Sequence, residues 1–199
     1  MDKCIRRAEV ADAPTIREIY APFVSDSATS FELVVPDLDE VERRITGQRD
    51  RYPWLVFERD GSILGYAYAS AHRTRWAYQW CVEVSVYVHP LAHRCGVGRA
   101  LYIALLDLLR RQGYVNAYAG ITLPNPSSVG LHESLGFVPV GVFRRIGLKF
   151  DRWHDVVWLH LALFEAPESV PEPILAAGLW QEPSVTAMLE ACALSVRLP

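Results

Sequence analysis

The sequence predicts one α/β domain built on a mixed, largely antiparallel sheet of about six or seven strands flanked by helices. Three observations carry the prediction. Apolar stretches of period two alternate along the chain with stretches of helical period. Asp60-Gly61 stands between two apolar runs as a strong hairpin signal. The 199 residues, 51% hydrophobic and 22% charged, match one ordinary domain with a sizeable core.

Ile5 to Ala8 reads as a first strand, and Asp12 is placed to cap a helix whose Ile16, Ile19, Tyr20 and Phe23 recur at helical spacing. The hydroxyl-rich stretch from Ser25 to Glu32 has loop composition, and Asp37 or Asp39 opens a second helix. Trp54 to Glu58 and Ile63 to Ala71 flank the hairpin turn as antiparallel strands. In the strand from Cys81 to His89, Val82, Val84, Val86 and Val88 face one way while Glu83, Ser85 and Tyr87 face the other. Val97 to Arg111 carries Leu101, Ala104, Leu105, Leu108 and Leu109 on one helical face, and Gly113 ends that helix. Tyr114 to Ile121 is a strand, Pro126 to Leu135 a short helix, and Phe137 to Lys149 and Val156 to Phe164 two last strands. The composition changes after Glu165, which divides a domain of residues 1–165 from a tail of residues 166–199. In the tail Val185, Met188, Leu189 and Cys192 make the stripe of a short packed helix.

Twenty Lys and Arg against 23 Asp and Glu give a net charge of −3, with no basic block to hold a nucleic acid. The first residues lack the apolar run of a signal peptide, and no run is long enough to span a bilayer, so a cytoplasmic protein without membrane contact is expected. Cys4, Cys81, Cys95 and Cys192 show no CxxC spacing, and no cluster has metal-ligand periodicity. Neither disulfides nor a metal are expected.

Chemistry concentrates at a strand, then His93-Arg94-Cys95-Gly96-Val97-Gly98-Arg99-Ala100, then a helix. Glycines here let a pyrophosphate approach backbone N–H groups at a helix N-terminus, where the dipole favours anions. A plain strand-to-helix turn is the blander reading. A dinucleotide fingerprint fails because Leu101 replaces the third glycine, and a Walker A loop fails for want of Gly-Lys-Ser/Thr.

Tyr87-Val88-His89-Pro90 followed by His93 to Gly98 resembles the acyl-coenzyme A pyrophosphate loop of the GCN5-related N-acetyltransferases (GNAT), with His93 where that family has Gln or Arg. The block from Asn125 to Phe137 is similar to the family's Asn-x-x-Ser-x-x-x-Tyr-Glu-x-x-Gly-Phe helix. Arg51 to Val56, Val82 to Val88, Leu131 to Phe137 and Trp153 to Val156 look like phosphinothricin and methionine sulfoximine N-acetyltransferases. The resemblance covers residues 3 to about 163 and implies the GNAT fold, acetyl-CoA as co-substrate, a homodimer, and acetyl transfer to the α-amine of a glutamate-like amino acid.

Glu83 matches the family's proposed catalytic glutamate, and a strand-borne carboxylate can take the proton that an ammonium must lose before it attacks a thioester. Without the resemblance it would read as a solvent-facing residue on the wet side of a strand. His132 falls where many members place a tyrosine thought to protonate the departing thiolate, a task open to imidazole; contact with substrate or cofactor is the alternative. Arg75 and Tyr78 match substrate-site positions, as does the aromatic Phe31; Arg73 and Tyr102 join them as candidates for the substrate pocket. The resemblance implies cofactor contacts from Val86, Tyr87, Val88, His93, Arg94, Gly96, Val97, Gly98, Arg99, Ala100, Asn125 and Ser128. The oxyanion of acyl transfer is best met by a backbone N–H around Val86 to Val88. His72 and His89 have no support, and His154 reads as structural.

Two other functions stay open: acetylation of another small primary amine or a protein N-terminus, and a non-catalytic acyl-CoA binding module. The tail is expected to supply no chemistry and to bury its stripe against its own domain or a partner copy.

Overall fold

Asp60 and Gly61, both at positive φ (48° and 81°), turn the chain between β2 (Trp54–Arg59) and β3 (Ser62–Ala71), as the Asp-Gly pair predicts. The computed structural model describes residues 2–165, 169 and 171–198. Five further strands complete one sheet: β1 (Lys3–Arg7), β4 (Cys81–Val88), β5 (Asn116–Thr122), β6 (Val138–Lys149) and β7 (Arg152–Ala162). Their order is β1-β2-β3-β4-β5-β7-β6, and every neighbouring pair is antiparallel except β4 with β5.

Helices cover both faces, as the two-sided burial of the central strands requires. On one face lie α1 (Ala13–Ser25) and α2 (Leu38–Gln48), which bury Ile16, Ile19, Val41 and Ile45 against Trp54, Val56 and Tyr66. On the other, α3 (Val97–Gln112) buries Leu101, Leu105, Leu108 and Leu109 against Leu55, Phe57, Val82 and Val84. The short α4 (Pro126–Glu133) is opened by Asn125, whose side-chain oxygen accepts the Ser128 N–H at 3.1 Å. Asp37 caps α2 through the Glu40 N–H at 2.8 Å, which decides between the two candidates.

Two local expectations are corrected. Asp12 stands at the start of α1, but its carboxylate turns back to the Glu9 N–H and to Arg6, both at 2.7 Å. The last strand begins at Arg152 rather than Val156, because Phe150 and Asp151 at φ 50° and 55° form a tight turn with no glycine to announce it.

The tail winds through a short 3₁₀ segment (Ala176–Gln181) into α5 (Pro183–Leu194), which packs on β1 and α3 of its own chain. Val185, Leu189, Cys192, Ala193 and Val196 are buried in the same core as α3, while Leu175 stays exposed. The expected boundary after residue 165 adjoins Ala166 to Glu168, which lie outside the described residues.

Candidate active site

The parallel ladder between β4 and β5 is three pairs long and ends at Glu83 with Tyr118. Beyond that pair the two strands part, and the wedge between them is lined by Val84 to Tyr87 on one side and Ala119 to Thr122 on the other. His89 N–H bonds to Leu64 of β3, so by the period-two alternation the polar backbone of Val84, Val86 and Val88 faces the wedge. Two of these carbonyls have partners. Val88 accepts from the His93 ring at 2.9 Å, and Val84 lies 3.4 Å from the Tyr102 hydroxyl.

The wedge opens toward the first turn of α3. Gly96 precedes that helix at φ +91°, a left-handed conformation that a Cβ would strain by about 1–2 kcal/mol. The Ala100 N–H reaches back to the Gly96 carbonyl, so the N–H groups of Val97, Gly98 and Arg99 have no acceptor within the helix. Gly98 packs against Val88 of β4 and Leu131 of α4, which a Cβ there would meet at the ordinary contact distances of 3.4 and 3.5 Å. The side chains of Val97 and Ala100 are buried, so these two residues can offer an anion only their backbone, while Arg94 and Arg99 keep exposed cationic side chains beside it. Arg94 takes φ 61°, and Arg99 donates to the Ser134 hydroxyl of the α4 end at 2.9 Å. His93 thus tethers the loop to β4. From behind, Arg197 N–H bonds to the Cys95 carbonyl at 3.0 Å, and Lys3 Nζ holds the Val196 carbonyl at 2.8 Å.

His132, on α4, is 3% exposed and lines the wedge with Tyr102. Its Nδ1 lies 2.7 Å from the Ser128 carbonyl, which can only accept, so Nδ1 carries hydrogen and Nε2 accepts from the Tyr102 hydroxyl at 2.9 Å. Burial lowers the His132 pKa below 6.5, which favours this neutral form. Asn125 and Ser128 serve α4 itself, one as its cap and the other as the acceptor for His132.

On the opposite face of the sheet Glu83 meets two donors: His72 Nδ1 at 3.0 Å and Arg73 Nη1 at 3.5 Å, both on Oε1. His72 stacks on Tyr118 with centroids 4.6 Å apart and meets the edges of Trp158 and Tyr78 at 5.8 and 6.1 Å. Arg73 lies over the Trp158 ring at 5.9 Å. Gly120 makes room for that indole, since a Cβ there would stand 3.3 Å from it. Arg75 is exposed at the start of the short 3₁₀ turn that carries Tyr78.

Phe31 reaches the same side from the loop after α1, and its ring packs where a Gly147 side chain would be: a Cβ there would fall 2.2 Å from the ring. His154, bonded through Nε2 to the Lys149 carbonyl at 3.1 Å, flanks Phe31 at 6.2 Å. The loop is held by Lys149, whose buried ammonium donates to the Val24 and Ser30 carbonyls at 2.6 and 2.7 Å, and whose pKa burial lowers. A cavity of about 330 Å³ continues this face from Ser70, the register partner of Glu83, beneath α1 and α2.

Local sequence patterns give His72 no support and do not mark Tyr118, Trp158, Gly147 or Lys149. The first three share the Glu83 face through the register of β3, β4, β5 and β7, which pairs Ser70, Glu83 and Tyr118 in a row and sets Gly120 opposite Trp158. That register depends on strand order, which no local pattern encodes.

Residues 5–158 match the family described as acetyltransferase (GNAT) domain. Over 174 residues the chain is 40% identical to the phosphinothricin N-acetyltransferase of Streptomyces viridochromogenes, covering 85% of this chain and 92% of that relative. It is 37% identical to the L-methionine sulfoximine/L-methionine sulfone acetyltransferase of Salmonella typhimurium, covering 83% of this chain and 98% of that one. Among solved structures, a phosphinothricin acetyltransferase from Sinorhizobium meliloti in complex with acetyl-CoA superposes with a TM-score of 0.78 at 34% identity, over 88% of this chain and 99% of that chain.

Proposed function

The chain belongs to the GNAT family of acetyltransferases and is an N-acetyltransferase with acetyl-CoA as co-substrate; from that premise we propose that it acetylates the α-amine of a glutamate-like amino acid such as L-phosphinothricin or L-methionine sulfoximine, with Glu83 as general base. The observation that carries the proposal is the position of Glu83 at the last β4–β5 register pair, where the wedge begins.

The wedge and the loop fit acetyl-CoA. A left-handed Gly96 and the first N–H groups of α3 offer a pyrophosphate backbone donors, with the exposed side chains of Arg94 and Arg99 beside them. Val86, between the two carbonyls already engaged, has the backbone N–H to meet the oxyanion that develops in acyl transfer. Acetyl-CoA supplies the acetyl group activated as a thioester.

Glu83 accepts the proton of the acceptor's ammonium, which frees the nitrogen lone pair for attack. Tyr102 and His132 line the wedge as a hydrogen-bonded pair; the Tyr102 hydroxyl is a hydrogen-bond donor open to the departing sulfur, and the second proton released by the acetylated nitrogen neutralises the thiolate. Arg73, Arg75 and Tyr78 offer donors to the acceptor's anionic end, and Phe31 closes the opposite side. The relatives' substrates support an acceptor whose distal group is tetrahedral and polar.

The protein works as a homodimer in the cytoplasm under this proposal. The outer strand β6 leaves Val138, Val140, Phe143, Ile146 and Leu148 exposed on an unpaired sheet edge, a surface that a second copy would cover. Four free thiols suit a reducing compartment, and no helix among the described residues is long and apolar enough to cross a membrane.

A thiol-release assay across an amino-acid panel tests the acceptor. L-phosphinothricin and L-methionine sulfoximine should be acetylated, and glutamate should be several-fold to hundreds-fold poorer, since a planar carboxylate leaves one donor of the pocket unpaired. Equal turnover of glutamate would contradict the proposed specificity.

A further inference from the structure

His72 follows β3 directly and lies on the face that carries Ser70 and Glu83. Its ring is fixed on three sides: stacked on Tyr118 at 18° between planes, and in edge contact with Trp158 at 76° and Tyr78 at 72°. A carboxylate can only accept, so the 3.0 Å contact between Nδ1 and Glu83 Oε1 is a hydrogen bond donated by His72. Arg73 Nη1 approaches the same oxygen at 3.5 Å while holding the His72 carbonyl at 2.9 Å. Among the described residues no other side chain donates to Glu83, so both donors hold Oε1 and leave Oε2 for another partner.

We infer that His72 is a positioning residue for Glu83: by holding Oε1 from a ring locked in an aromatic frame, it presents Oε2 toward the acceptor's ammonium. The inference rests on Glu83 as the base. One proton passes from the acceptor nitrogen to Glu83 Oε2, the freed lone pair forms the bond to the acetyl carbon, the carbon–sulfur bond breaks, and coenzyme A leaves as a thiolate that takes up the second proton of the acetylated nitrogen. His72 keeps its Nδ1 hydrogen throughout. Arg73 alone cannot replace it, because its guanidinium is half exposed, with 49% of the side chain open, against 14% for His72. Immobilising one oxygen of a catalytic carboxylate matters because a small misplacement of reacting groups costs roughly 10-fold to 100-fold in rate.

Two substitutions separate this role from packing. His72→Phe keeps a ring on Tyr118 but removes the donor, whereas His72→Asn loses the ring and places an amide N–H near the position of Nδ1. With L-methionine sulfoximine as acceptor, His72→Phe should lower kcat by roughly 10-fold or more while acetyl-CoA affinity, measured by calorimetry, stays within about twofold. His72→Asn should retain more turnover than the phenylalanine variant. In a Glu83→Gln background the His72→Phe loss should vanish, because a residue that acts through Glu83 has nothing left to position. Additive losses in the double variant, or a phenylalanine variant as active as wild type, would overturn the inference while leaving the base assignment intact. Near wild-type turnover of Glu83→Gln alone would overturn both.

Discussion

Glu83 and Tyr118 form the last pair of the parallel β4–β5 ladder, so the residue best suited to take a proton stands where the sheet opens. Strand divergence exposes backbone groups of β4 toward α3 and α4, while the Glu83 side chain lies on the opposite face with His72. Under the proposed function one strand thereby serves two substrates from its two faces.

Gly96→Ala should weaken acetyl-CoA binding. The left-handed backbone at φ +91° carries a cost of about 1–2 kcal/mol for a Cβ, which loosens the loop by roughly 10-fold in affinity if the strain is relieved by moving it. Calorimetric titration of the variant should show the loss with the acceptor KM unchanged. Unaltered acetyl-CoA affinity would count against the loop.

Gly147→Ala should act on the acceptor instead. A Cβ at that position would stand 2.2 to 2.7 Å from three atoms of the Phe31 ring, so Phe31 must move. Steady-state kinetics with both substrates varied should give a several-fold higher acceptor KM, on the scale expected for a misplaced pocket wall, and little change for acetyl-CoA. A change confined to acetyl-CoA would place Phe31 elsewhere in the mechanism.

Stability should fall as the pH drops below about 6.5, in part through His132. Burial lowers its folded pKa below the unfolded value, so on acidification the unfolded chain binds the proton first and the folded state loses ground. The contribution is present above the unfolded pKa and lost as the pH falls toward the folded one, at up to about 1.4 kcal/mol per pH unit. Urea unfolding at pH 7.5 and 5.5 should show a smaller pH dependence in His132→Gln than in wild type. An identical dependence in both would remove His132 from the balance.

Val196→Asp should both destabilise the fold and loosen the acetyl-CoA loop. Val196 is 1% exposed, and an unpaired carboxylate there costs several kcal/mol. Its neighbour Arg197 is tied by its N–H to the Cys95 carbonyl, so the damage reaches the loop. Thermal melts with and without acetyl-CoA measure both effects. A variant that melts like wild type would show the tail to be dispensable.

Seven strands and five helices follow patterns visible in the chain, from the Asp60-Gly61 turn to the leucine face of α3. The loop before α3 is legible through Gly96 and Gly98, because a glycine pair between strand and helix is a local feature. The Glu83 surroundings are not. His72 and Trp158 are 86 residues apart and meet only because β5 lies beside β4 and β7 beside β5, a consequence of strand order. Lys149 carries no local signal, since its partners are the backbone carbonyls of Val24 and Ser30. The turn at Phe150-Asp151 escaped because its left-handed residues are not glycines.

Glu83→Gln, assayed for both binding and turnover, tests the account most directly. The amide keeps the shape of the side chain and removes its basicity, so acetyl-CoA affinity by calorimetry should match wild type. Turnover of L-methionine sulfoximine should fall by roughly 10²-fold or more, the scale of a lost general base. A variant that binds acetyl-CoA normally and still acetylates at close to the wild-type rate would contradict the assignment of Glu83 as the base.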